Sequence, residues 1–234
     1  MRCRLDKGEP IAPGLRRIAR EQLEKALREI SGTARRDEGA AVHATRKHIK
    51  RTRALLRLVR RELDSELFAG ENERLRAVAN GFSGSRDARV QLQVVEKLRE
   101  DPKAFSETIA ALEKEVAGCE EAFGKHRQKA VATLQQICDR IEGWPLDSVG
   151  GDALCDAVQR SYRHGRKCFH GLCDDPVSED FHSWRKRVKD FWYQAQILQN
   201  LNRTILCEMA DAAKSLGQQL GDLHDWACLR HRLE

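Results

Sequence analysis

Residues 42–61 hold eight lysines or arginines, two histidines and no acid. Read at helical period, His43, Arg46, Lys47, Lys50, Arg57 and Arg61 fall on one stripe with Arg53 at its edge, while Thr45, Ile49, Thr52, Leu56, Val59 and Leu63 fall on the opposite side. Helices usually interleave acids among their bases, since like charges three or four apart each cost a few tenths of a kcal/mol. Unrelieved here, that repulsion amounts to roughly 1–2 kcal/mol in the isolated helix. The chemistry such a face can do is to grip a polyanion. Arginine offers a planar fork for two phosphate oxygens, lysine a point charge, and histidine a donor that becomes cationic beside an anion.

The pattern recurs in Phe181-His182-Ser183-Trp184-Arg185-Lys186-Arg187-Val188-Lys189. His182, Arg185, Lys186 and Lys189 match His43, Arg46, Lys47 and Lys50, and apolar Phe181 and Val188 match Val42 and Ile49. Tyr193 and Gln196 continue the polar face, and Trp184, Val188, Phe191, Ala195 and Leu198 form the other, so Trp184 and Phe191 are expected in the core. A second pair of motifs follows at nearly the same offset: Gly84-Ser85-Arg86-Asp87-Ala88 and Leu223-His224-Asp225-Trp226-Ala227. Paired motifs at a constant offset point to a duplicated half. Asp87 and Asp225 stand one per motif, too few for metal-assisted phosphate chemistry, and are read as carboxylates that orient basic side chains. Arg51 and Arg187 lie off the stripes and are read as solvated.

Seven helices are expected to position these residues: about 14–30, 40–63, 65–98 with a break near Gly81 or Gly84, 104–141 with room for a kink near Gly118 or Gly124, 152–172, one from 178, and one after Leu201-Asn202. Gly143-Trp144-Pro145 and Gly150-Gly151 read as the joint between halves, and no segment alternates with a two-residue period, so no sheet is expected.

The H-x-x-R-K-x-x-K helix, present twice and each time followed by R-D-A or G-D-L-H-D, resembles the CHAD domain (conserved histidine α-helical domain). Glu9-Pro10-Ile11-Ala12-Pro13-Gly14-Leu15-Arg16-Arg17 and Arg160-Ser161-Tyr162-Arg163-His164-Gly165-Arg166-Lys167 resemble that family's first and fifth helices. The resemblance implies an all-α fold: an antiparallel helical bundle of two duplicated helical-hairpin halves around a basic central cavity that binds inorganic polyphosphate, without catalysis. The whole chain would be one domain, with halves at about 1–143 and 152–234. It also implies that Arg16 and Arg20, and Arg163, Arg166 and Lys167 at matching places in the second half, add to the lining. Arg17, Arg160 and a cluster of Lys125, Arg127 and Lys129 are lesser candidates. Relatives continue with a further helix beyond the point where this chain stops. The second half is therefore expected to lack its closing helix, or the chain to have been cut, with Leu233-Glu234 a cloning remnant.

Composition narrows the alternatives. The chain has 234 residues, a third of them charged, and a net charge of +6 that averages an ordinary outer surface with concentrated basic helices. No apolar run is long enough to span a membrane, and Met1-Arg2-Cys3-Arg4-Leu5-Asp6 lacks the apolar core of a signal peptide. The expected location is cytoplasmic, in association with polyphosphate granules. Eight scattered cysteines fit free thiols packed as small hydrophobes, and Cys168-Phe169-His170-Gly171-Leu172-Cys173 lacks the second ligand pair that a zinc site requires. No metal, cofactor or catalytic residue is expected, because no phosphate-binding Gly-rich loop, nucleophile–base pair or carboxylate cluster appears. The expected partner is polyphosphate or another polyanion, for which sulfate or phosphate would stand in within a crystal. Nucleic acid is the runner-up, weakened by the lack of aromatics interleaved among the bases, and a scaffold that targets cargo to polyphosphate bodies is a further alternative.

Overall fold

A computed structural model describes residues 3–32, 38–98, 105–172 and 176–233, apart from the side chains of 83–87, 98 and 119–122. Among the described residues the fold is all-helical, with no strand. The helices are α1 (Ile11–Ser31), α2 (Glu38–Leu58), α3 (Ser65–Asn80), α4 (Ser83–Leu98), α5 (Ser106–Arg140), α6 (Gly151–His170), α7 (Ser178–Leu198) and α8 (Arg203–Leu233).

The apolar periods account for these elements. Leu15, Ile18, Ala19, Gln22, Leu23, Ala26 and Ile30 form the buried stripe of α1. This helix starts three residues before the predicted Gly14, because Pro13 sits in the first turn, where its missing N–H has no helical acceptor to lose. On α2 the predicted inner face holds, with Thr45, Ile49, Thr52 and Leu56 all buried. The helix ends at Leu58 rather than at the expected Leu63, and the chain turns down to Asp64. There the Asp64 carboxylate accepts from the backbone N–H of Glu66 at 2.8 Å and of Leu67 at 3.2 Å, capping α3. The predicted break falls at Gly81-Phe82 and separates α3 from α4, with Phe82 buried against Phe123 at 5.8 Å between ring centroids. Helix α5 runs on through Gly118 and Gly124.

Each helix packs its stripe on a neighbour: α1 on α2 and α5, α2 on α3, α4 and α7, α6 on α7, and α8 on both α7 and α4. The largest apolar cluster joins α1, α2, α3 and α5 to the joint residues Trp144, Leu146 and Val149 and to Ile197 and Leu198 at the end of α7. Leu112 of α5 and Leu229 of α8 close a second cluster on α4, and Val188, Phe191, Ala213 and Leu220 form a third between α7 and α8. The N-terminal segment ties the first residues to α7: Leu5 N–H donates to the Ile197 carbonyl at 2.9 Å, and Asn200 Nδ2 to the Leu5 carbonyl at 2.7 Å.

Helices α2 and α7 cross at a defined point. Gln194 Nε2 donates to the Ala54 carbonyl at 3.2 Å, Arg57 pairs with Asp190, and the Arg51 guanidinium lies 5.9 Å from the Tyr193 ring centre. Leu55 at this crossing is fully buried, and truncating it to alanine would cost roughly 2–5 kcal/mol.

Candidate functional site

On α2 the basic stripe divides into exposed and half-buried members. His43, Lys47 and Lys50 are exposed along its N-terminal half. Arg46 donates through Nη1 to the Ala79 carbonyl, at the C-terminal end of α3 where helix carbonyls lack internal donors. Arg53 donates through Nε to Asn72 Oδ1 at 3.0 Å, and burial, then the nearby Arg57 charge, hold its guanidinium below its ordinary pKa. Arg57 pairs through Nη2 with Asp190 of α7. Arg51, read from sequence as solvated, is instead half-buried: Nη1 reaches Gln22 Oε1 at 3.5 Å and the guanidinium lies toward the Tyr193 ring. The shared interface of α1, α2 and α7 draws it in.

On α7 the stripe lies along α8. Arg185 and Lys189 line a groove of about 420 Å3 together with Gly217, Gln218, Gly221, Asp222 and Asp225. Two glycines make the fit possible. A Cβ on Gly217 would stand 3.1 Å from Lys189 Cε, and one on Gly221 would stand 3.3 Å from Arg185 Nη2. The two basic side chains therefore lie directly on the α8 backbone. Burial, reinforced by Arg185, lowers the Lys189 pKa, and its Nζ sits 4.8 Å from the Trp192 ring centre. Lys186 is exposed, with Glu179 3.8 Å away. The His182 ring packs on that of His224, and its Nδ1 is buried without a hydrogen-bond partner among the described residues. Burial, followed by Lys186 and His224, lowers the His182 pKa. Arg187 is exposed, as expected off the stripe. Phe191 is buried, and Trp184 is half-buried against Phe169.

The remaining sequence candidates lie elsewhere. Arg16 donates to the Trp144 carbonyl at 2.8 Å and to both Asp147 oxygens at 3.0 and 3.1 Å, clamping α1 to the joint, and Arg20 pairs with Glu142. Arg17 is held by Glu9 and Glu21, and its hydrogen bonds lower the Glu9 pKa. Arg127 donates to the Ser31 carbonyl at 3.0 Å at the end of α1. On α6, Leu154, Ala157 and Val158 pack inward, whereas Arg163, Arg166 and Lys167 are exposed on the opposite face. Arg86, Asp87 and Cys173 lie outside the described residues or side chains. Asp225 stands in the groove beside Arg185 and Lys189, where a carboxylate can orient them. Gly217 and Gly221 were missed in the sequence, although their four-residue spacing opposite the second basic helix was a usable signal.

Among the described residues, no group of three or more His, Cys, Asp or Glu side chains is arranged to hold a metal ion, and no helix is long and apolar enough to cross a membrane. With this geometry in view, the comparison with known families is specific: the CHAD domain matches residues 17–234, and the chain belongs to that family. No curated protein and no solved structure matches the chain.

Proposed function

We propose that this chain is a non-catalytic module that binds inorganic polyphosphate along α2 and α7. The observation that carries the reading is the crossing of those helices. His43 and His182 are 139 residues apart in sequence, and that offset pairs Ala54 with Tyr193 and Leu55 with Gln194. The hydrogen bond from Gln194 to the Ala54 carbonyl joins positions within one residue of equivalence. Helices related by a twofold axis cross at equivalent positions, which supports two duplicated halves packed about a shared axis. Each histidine then lies eleven residues before the crossing on its own helix, so each motif leads up to it over about 16 Å at 1.5 Å per residue. A linear polyanion suits a basic band of that length better than a compact anion does.

The binding residues on this reading are His43, Lys47, Lys50, His182, Arg185, Lys186 and Lys189. Arg46, Arg53 and Arg57 support them, and Arg163, Arg166 and Lys167 extend the field from α6. Arg16 and Arg20, engaged by acids at the joint, stand apart. One charge contact at about 4 Å is worth roughly 1 kcal/mol in water and about 4 where the effective dielectric is near 20, so the half-buried Lys189 and Arg185 contribute most. Family membership and the basic groove both favour polyphosphate over a metabolic substrate. The setting proposed is cytoplasmic, at polyphosphate granules.

The test is competition. Long-chain polyphosphate should displace a labelled polyphosphate at far lower concentration than orthophosphate or single- or double-stranded nucleic acid. Equal or better displacement by nucleic acid would replace this reading with a nucleic-acid-binding one.

A further inference from the structure

Two imidazoles stand face to face beside the groove. The His182 and His224 ring centroids are 4.4 Å apart, with planes 32° from parallel. The position equivalent to His224 in the first half is Ser85, so the sequence supplies this pair in the second half alone. Around it, α7 contributes Glu179, Arg185 and Lys186, and α8 contributes Asp222, Asp225, Cys228 and Arg230 within two turns of His224. Cys228 Sγ lies 3.7 Å from His224 Nε2. Helix α6 meets this end of α7 through Phe169, which packs on Trp184 at 5.1 Å and against His170 at 5.7 Å. Helices α4 and α5 meet α8 further on, through Leu229 and the Glu115–Arg232 pair. Asp174 and Asp175 precede α7 and lie outside the described residues.

Two imidazolium rings at this separation repel each other, and Lys186 and Arg185 add to the repulsion, with Glu179 opposing it. Without a ligand the pair therefore resists a second proton. An oxyanion laid along Arg185, Lys186 and Lys189 reverses the local field, and protonation adds a second N–H donor, so that both ring nitrogens donate. Resting on the polyanion-binding reading, we propose that binding is proton-linked: the His182–His224 pair takes up a proton as the polyanion seats, and affinity rises as pH falls through the histidine range.

Linkage makes the effect measurable, at up to roughly tenfold in affinity per pH unit for each proton taken up. Calorimetric titration of the full chain with medium-chain polyphosphate, at pH 7 in two buffers of different ionisation enthalpy, should report net proton uptake. Affinity should rise from pH 8 to pH 6. The double variant His182→Gln/His224→Gln should lose most of the uptake and flatten the profile several-fold, which separates the pair from titrating phosphates on the ligand. A second readout needs no variant: two imidazole proton resonances should titrate at higher pH when polyphosphate is bound than when it is absent. Binding that is tight yet independent of pH, or an unchanged uptake in the double variant, overturns the inference and leaves the binding reading standing. Absence of polyphosphate binding at every pH overturns the binding reading itself.

Discussion

Arg57 on α2 pairs with Asp190 on α7 where the two helices cross, and the two side chains are only 23% and 17% exposed. The acid stands at the crossing, between the two basic stripes, and is felt by Arg53 as well. Removing one partner of a fully buried pair costs about 3–5 kcal/mol, and partial exposure reduces that here to about 2. Asp190→Asn should therefore lower stability by about 2 kcal/mol in urea denaturation while polyphosphate affinity increases, because Arg53 and Arg57 lose their counter-charge. A loss of affinity at unchanged fold would mean that Asp190 positions Arg57 for the ligand.

The glycines of α8 separate binding from stability. Alanine at Gly217 or Gly221 gains about 0.5–1 kcal/mol in helix propensity, and the atoms it meets belong to the flexible side chains of Lys189 and Arg185. Those side chains must lift off the α8 backbone. Gly217→Ala/Gly221→Ala should hold or raise the melting temperature and weaken polyphosphate binding several-fold. Equal affinity in the two proteins would show that the groove tolerates displaced cations.

How far the sequence reached can be judged from the same residues. The inner face of α2 (Thr45, Ile49, Thr52 and Leu56) was legible because burial follows helical period, and the break at Gly81 because glycine weakens a helix locally. The basic stripe was legible as a stripe. What each base touches was not. Arg16 finds its partners 128 and 131 residues away, at Trp144 and Asp147, and Arg57 finds Asp190 133 residues away. Such pairings arise only once helices pack, and no local rule encodes them. For the same reason Arg51, solvated on an isolated helix, is half-buried in the bundle.

Arg16 gives a direct test of that distinction. Its guanidinium is 14% exposed and holds the Trp144 carbonyl at the joint. Arg16→Gln should lower stability by about 1–2 kcal/mol, the worth of a charge-assisted hydrogen bond to a half-buried carbonyl. Polyphosphate affinity, measured at a temperature where the variant is folded, should stay within about twofold of the parent. A tenfold loss would return Arg16 to the binding set.

Neutralising the two stripes should have unequal structural effects. Lys47→Gln/Lys50→Gln removes exposed charges from a self-repelling face and should leave stability unchanged or slightly raised. Adding Arg46→Gln removes the donor to the Ala79 carbonyl and should cost about 1 kcal/mol. Either set, and likewise Arg185→Gln/Lys186→Gln/Lys189→Gln, should make the logarithmic salt dependence of binding shallower, by about one unit for each phosphate that is no longer neutralised. An unaltered salt slope in the α7 triple variant would exclude those residues as phosphate ligands.

Acid sensitivity should trace to His48, on the side of α2 that faces α1. Its Nδ1 lies 2.9 Å from Gln22 Oε1, and burial, followed by the charges of Arg51, Lys25, Lys47 and Arg28, pushes its pKa down to about 4. The unfolded chain protonates this ring near pH 6.5, so between about pH 6.5 and 4 the unfolded state binds a proton that the native state refuses. Stability on this account is full above pH 6.5 and falls as pH drops toward 4. The loss by pH 4.5 is about 1–2.5 kcal/mol once solvent screening is allowed for. His48→Gln can keep a hydrogen bond to Gln22 and has no proton to gain, so the variant should lose correspondingly less stability between pH 7 and 4.5. Urea midpoints of both proteins at the two pH values decide it, and equal losses would place the acid sensitivity elsewhere.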